Sequence, residues 1–386
     1  MTEKTEKARM TYVDNIRWIM IVMAVAMHAC VTYSGLGSWF YKEPHELDIA
    51  SQLIFSFYQI FAQGFFMGIL FLIAGTFIPR AYDRKGFGRF ILDRLIRLGI
   101  PTAIFMLVLE PLIRIIMGLF EGEPMTLDSI ARAYARYVVS LDFVSSTGPL
   151  WFALALLVFT VVYAVVRAVS DPFRAHPVGS GGGLTHAKAA VLLVCIAASS
   201  FAVRLIQPIG TSVLNMQLCY FPQYIALFVA GLWAGRTGAL ERISSRFGMV
   251  WLRLSFAVGV PGWFLLMGFG GALTKGVEAY LGGLTWQAAA LSVWEAFIAV
   301  SMSLGLTVLF RERMNAKAPV TSLLAANCFG VYVFHAPILV AISLAIRGFQ
   351  MHPLAKTGAA LALALAASYL FTALMRTVPG LKKLFS

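Results

Sequence analysis

The sequence predicts an all-α, polytopic integral membrane protein of about ten transmembrane helices with both termini cytoplasmic. Three observations carry this: a composition too apolar for water, apolar runs of membrane-spanning length along the whole chain, and basic residues concentrated in alternate loops. Of the 386 residues, 59% are hydrophobic and 13% charged, whereas soluble domains carry about 25% charged residues. Mean hydropathy is +0.79. About 20 apolar helical residues cross a hydrocarbon core of about 30 Å, and runs of that length fall near 15–34, 52–79, 98–119, 148–167, 188–206, 218–236, 250–270, 285–309, 321–346 and 355–375.

The loops orient these spans. With the N-terminus inside, the inner segments hold 22 of the 31 Lys and Arg residues and the outer loops six, the bias expected when basic residues stay on the cytoplasmic side. The formal charge of +13 is then a topology signal and implies no nucleic-acid partner. We read residues 1–386 as one membrane domain, with 1–14 and the basic 376–386 as cytoplasmic tails.

The first span begins Asp14-Asn15-Ile16-Arg17 and carries His28. Ionisable groups inside a membrane are costly and mark functional sites. Eleven helical residues return to nearly the same face and rise about 16 Å, so one stripe presents Arg17 and His28 to the same interior. Ala24-Val25-Ala26 resembles a signal-peptide cleavage site, but Arg17 interrupts the apolar region, and the first span is expected to stay uncut. After the second span, residues 80–97 hold six basic side chains against two acids. Arg94 and Arg97, at i and i+3, are expected to share a face and grip a phosphate together, although anchoring to anionic lipid explains most basic loops.

In the third span Glu110 and Arg114, at i and i+4, read first as a pair that satisfies itself. Residues 126–147 form much of an outer loop. Trp151 opens the fourth span, where an aromatic-belt role competes with substrate contact. Gly179-Ser180-Gly181-Gly182-Gly183 marks a flexible inner connection. Arg204, at the outer end of the fifth span, is expected to snorkel to the interface. The ninth span contains Asn327-Cys328-Phe329-Gly330-Val331-Tyr332-Val333-Phe334-His335-Ala336-Pro337. His28 and His335 lie at similar depths in spans of the same direction, so both can face one cavity near the bilayer middle. His45, His176, His186 and His352 fall in loops or at helix ends. Cys30, Cys195, Cys219 and Cys328 show no metal or disulfide spacing and read as small core residues. No internal repeat is visible, which counts against an inverted-repeat transporter.

These phrases together resemble the membrane acyltransferase-3 family. Asp14, Arg17 and His28 match its Asp-x-x-Arg followed by ten residues and a His. Phe71-Leu72-Ile73-Ala74-Gly75 is similar to its Phe-Leu-Ile-Ser-Gly, and Arg94-Leu95-Ile96-Arg97-Leu98-Gly99-Ile100-Pro101 to its Arg-x-x-Arg-Leu-x-x-Pro. Leu150-Trp151-Phe152 and Tyr332-Val333-Phe334-His335-Ala336-Pro337 follow in the family's order. The Ser-x-Glu phrase that some lipopolysaccharide-modifying members carry after the Trp is absent, which resembles the glucan-succinylating and antibiotic-tailoring branch.

The resemblance implies transfer of an acyl group, such as acetyl or succinyl, from a cytoplasmic acyl-CoA to a hydroxyl. The acceptor would be a carbohydrate, a lipid-linked sugar or a small molecule, met in the cytoplasmic membrane of a bacterium among membrane lipids. Acyl-CoA is then a co-substrate, with no tightly bound cofactor and no metal. A neutral His can take the acceptor's proton during attack, which makes His28 the expected general base and His335 a second catalytic candidate. Asp14, Arg17, Arg94, Arg97, Trp151 and Tyr332 are the expected substrate-binding residues. The span from Arg17 to His28, about 16 Å, is comparable to an extended pantetheine arm. His335, Tyr332 and Arg114 are the candidate donors for the oxyanion. Two other readings compete: a proton-coupled transporter or flippase using His28, His335 and Arg17, and a non-catalytic membrane sensor.

Overall fold

The computed structural model describes residues 10–43, 46–169 and 183–385. Lys4, Lys7, Arg9, His45, Arg174, His176 and residues 179–182 of the glycine-rich connection lie outside the described residues. Among those described, ten helices are long and apolar enough to cross a membrane, and there is no sheet. They are α1 (Thr11–Ser34), α2 (Ile49–Lys85), α3 (Phe87–Glu121), α5 (Gly148–Val169), α6 (His186–Arg204), α7 (Leu218–Thr237), α8 (Ser245–Phe269), α9 (Trp286–Arg313), α10 (Pro319–Ala345) and α11 (Pro353–Met375). A further helix, α4 (Leu127–Val139), lies between α3 and α5.

Alternate helix ends meet on two opposite faces. On the first face, the start of α1 bonds the end of α9, through Asn15 Nδ2 to Met314 O at 2.6 Å. There too Arg376, just past α11, donates to Asn327 Oδ1 near the start of α10 at 2.7 Å. On the opposite face, Asn215 before α7 donates to Gly148 O at the start of α5 at 2.9 Å. Also there, Lys356 of α11 reaches Glu43 after α1 at 2.5 Å.

The basic run 80–97, expected as a loop, is helical. It is broken only at Gly86, whose φ of 70° suits a residue without a Cβ, so α2 and α3 extend well beyond the apolar runs. Asp48 caps the start of α2, accepting from Ser51 N at 2.9 Å and Ser51 Oγ at 2.5 Å. These bonds, with His352 nearby, hold its carboxyl at about 2. Within α2 the helix is interrupted at Gly64, and Gln223 of α7 donates to the freed Gly64 O at 2.9 Å. Farther along, α2 and α7 touch backbone to backbone: a Cβ at Gly231 would collide with Leu72 O and one at Gly235 with Thr76 O. Small residues spaced by four allow this approach in apolar helices.

Two prolines explain the irregularity of α3. Wider π-turns occupy Leu95–Gly99 and Phe105–Leu109, just ahead of Pro101 and Pro111. Pro111 has no N–H to give Leu107 O, and the second π-turn sends the Glu110 N–H to Phe105 O, bypassing Met106 O. Both freed carbonyls are met from α4: Tyr134 Oη donates to Leu107 O at 3.2 Å and Tyr137 Oη to Met106 O at 2.6 Å. The expected outer loop is thus a helix pinned across the end of α3. Sequence patterning missed it because α4 is too short to span and mixes polar with apolar residues.

Candidate active site

The site forms where α1 ends. Gly35 terminates α1 with a φ of 70° and Gly37 follows with 110°, conformations that side chains resist, and the chain turns back over the helix end. Three bonds tie this strap. Glu43 N donates to Thr32 O at 2.8 Å, Gln59 Nε2 of α2 to Leu36 O at 3.0 Å, and Lys356 Nζ to Glu43 Oε1 at 2.5 Å. The fold-back lays the Trp39 ring on His28, with centroids 3.8 Å apart and planes 15° apart.

His335 comes from α10. Its ring lies 5.4 Å from His28 and 6.2 Å from Trp39, and all three planes are nearly parallel. His335 Nδ1 sits 2.8 Å from Tyr332 O. A carbonyl only accepts, so Nδ1 carries the proton and Nε2 keeps a lone pair. His28 Nδ1, Trp39 Nε1 and His335 Nε2 are all buried without a hydrogen-bond partner in the protein. Buried polar atoms are normally paired, so three orphans on neighbouring rings mark a place for a polar ligand. The two histidines lie at similar positions in their helices, both past the midpoint on the side of the opposite face. The strap is what encloses them.

The remaining expected residues divide into two groups. On the first face, Arg17 lies 3.4 Å from Asp14 and over the Phe77 ring at 5.2 Å. Arg94 stacks on Phe90 at 5.0 Å, with a buried Nε that no protein group meets, and it is within electrostatic reach of Arg17. Arg97 departs from expectation: it pairs with Asp93 at 3.2 Å and its side chain is 60% exposed. The wider turn that starts at Leu95 rotates Arg97 away from Arg94, so the two do not form one fork.

Trp151 is not brought to the histidines. It packs among Phe152, Phe221 and Tyr224. Tyr332 stacks 6.2 Å from His335, but its hydroxyl donates to Pro149 O. Arg114 pairs with Glu110 at 2.8 Å and is 63% exposed, far from an enclosed site. Arg204 does not snorkel: it is 1% exposed, with bonds to Glu295 and Ser292 of α9, because a buried acid on a neighbouring helix offers a better partner than the interface.

Sequence reasoning missed Trp39, the Lys356–Glu43 pair and Glu295. Glu295 was visible as the single acid of an otherwise apolar run, the same signal that singled out Arg17. Two apolar grooves, of about 410 and about 330 Å³, are lined by neither histidine.

The acyltransferase-3 family model, described as an acyltransferase domain, matches residues 10–373, and the chain belongs to that family. No curated protein and no solved structure matches it.

Proposed function

We propose that this membrane acyltransferase moves an acyl group from acyl-CoA to a hydroxyl of a carbohydrate or related acceptor, with His28 as general base. The observation that carries the reading is the facing pair His28 and His335, 5.4 Å apart, with orphaned nitrogens inside an acyltransferase domain.

The donor enters from the first face, taken as cytoplasmic because basic residues crowd it. Arg17 and Arg94 hold the phosphates, and the pantetheine arm runs along α1 over the rise of about 16 Å to His28. The acceptor comes from the opposite face. A neighbouring hydroxyl of the acceptor donates a hydrogen bond to the lone pair of His335 Nε2, which orients the acceptor and leaves the proton of the reacting hydroxyl for His28. As the oxygen attacks the thioester carbonyl, His28 takes the proton and later returns it to the departing thiolate.

Thiol release from a panel of acyl-CoAs by the detergent-purified protein tests the proposal, with a cell-envelope sugar fraction as acceptor. Release by the wild type, lost in a folded His28→Ala variant, supports it. Equal release by both removes His28 as the base, and no release with any donor overturns the acyl-CoA reading.

A further inference from the structure

We infer that the indole N–H of Trp39 is the donor that holds the thioester oxygen during acyl transfer, which makes Trp39 a catalytic residue. The inference rests on the acyl-transfer reading above. Indole nitrogen can only donate a hydrogen bond, and Trp39 Nε1 is buried with no partner in the protein. Its ring lies against the face of His28 at 3.8 Å and parallel to His335 at 6.2 Å, so the donor stands beside the proposed base and the histidine that orients the acceptor.

The donors expected from the sequence are committed elsewhere. Tyr332 Oη donates to Pro149 O, the His335 Nδ1 proton faces Tyr332 O, and Arg114 is paired with Glu110 on the surface. The strap also provides the rigidity that such a donor needs. Backbone and side-chain bonds fix it at Leu36 and Glu43, on either side of Trp39, so the N–H needs no reorganisation as charge develops.

The step balances as follows. The acceptor oxygen forms a bond to the carbonyl carbon while its proton passes to His28. The carbonyl π electrons move onto oxygen, where the Trp39 N–H meets them. The tetrahedral intermediate then expels the thiolate, which recovers the proton from His28, leaving the ester and the free thiol. A wall that merely positions His28 would use the same ring, and the N–H separates the two roles.

The test compares full-length wild type with Trp39→Phe, which keeps a flat ring without the donor, and Trp39→His, which restores a ring N–H. Trp39→Phe is expected to lower kcat for thiol release by about 10²–10³, the usual loss for one oxyanion donor, with KM nearly unchanged and Trp39→His recovering about tenfold. Infrared spectra of bound acyl-CoA should give a thioester carbonyl stretch shifted to lower frequency in wild type and unshifted in Trp39→Phe. A Trp39→Phe kcat within about threefold of wild type overturns the inference and leaves the acyl-transfer reading standing, as does an unchanged carbonyl stretch across the three proteins. A wild type that releases no thiol overturns both.

Discussion

Arg204 and His335 are both polar residues sealed inside apolar helices, 1% and 0% exposed, yet their surroundings differ in kind. Both terminal nitrogens of Arg204 are bonded, to Glu295 and Ser292, which pairs its charge and leaves only Nε without a partner. Lys356 likewise bonds Glu43 and the carbonyls of Arg347 and Phe349. Around His28, Trp39 and His335, by contrast, each of the three stacked rings carries a buried nitrogen with no partner. Satisfied clusters fasten helices together, since breaking one strands a charge in a low dielectric. The unsatisfied cluster forgoes that stabilisation and keeps its donors and acceptors for something that arrives.

The contrast can be broken by substitution. The largest effect is expected at the histidines. His28→Ala should lower thiol release by about 10²–10⁴, the range for a general base, while the melting temperature holds, because no internal hydrogen bond of the ring is lost. At the satisfied cluster the signature should invert: Glu295→Ala is expected to cost about 3–5 kcal/mol of stability by stranding Arg204. The double variant Arg204→Met with Glu295→Leu should recover most of it in thermal unfolding in detergent. Failure of the pair to recover would mean that Arg204 acts beyond fastening.

Smaller effects test the scaffold beneath both clusters. Gly231→Ala pushes a methyl into the Leu72 carbonyl and should cost about 1–3 kcal/mol, the usual penalty of overpacking, read as an earlier unfolding midpoint. Tyr137→Phe removes one bond to Met106 O and should cost about 1 kcal/mol. Hydrogen exchange ought to rise locally in α4, and unchanged exchange there would detach α4 from the end of α3.

How much of this was readable in advance differs from residue to residue. His28 and His335 stood out because titratable rings are rare in apolar runs, and their similar position along parallel spans suggested a shared cavity. Trp39 carried no such mark. It lies in a short segment after Gly35, and its position depends on Gln59 and Lys356, which are 20 and 317 residues away along the chain. Arg94 and Arg97 misled because i, i+3 spacing implies a shared face only in a regular α-helix, and Pro101 replaces that turn with a wider one. Tyr134 and Tyr137 fell in the stretch 126–147 that read as an outer loop. Their task became visible only with the two carbonyls that Pro111 and its π-turn leave open.

The sequence by itself determined the ten spans, the family and the two histidines. Hydropathy over about 20 residues is a local property that the bilayer reads one helix at a time. Tertiary structure decided which helices touch, and with that the pairing of Arg204 with Glu295, the closure of the strap by Lys356 and the delivery of Trp39 onto His28. Those contacts join residues far apart in the chain, and between equally apolar helices it is small-residue packing and hydrogen bonds, not hydropathy, that select them.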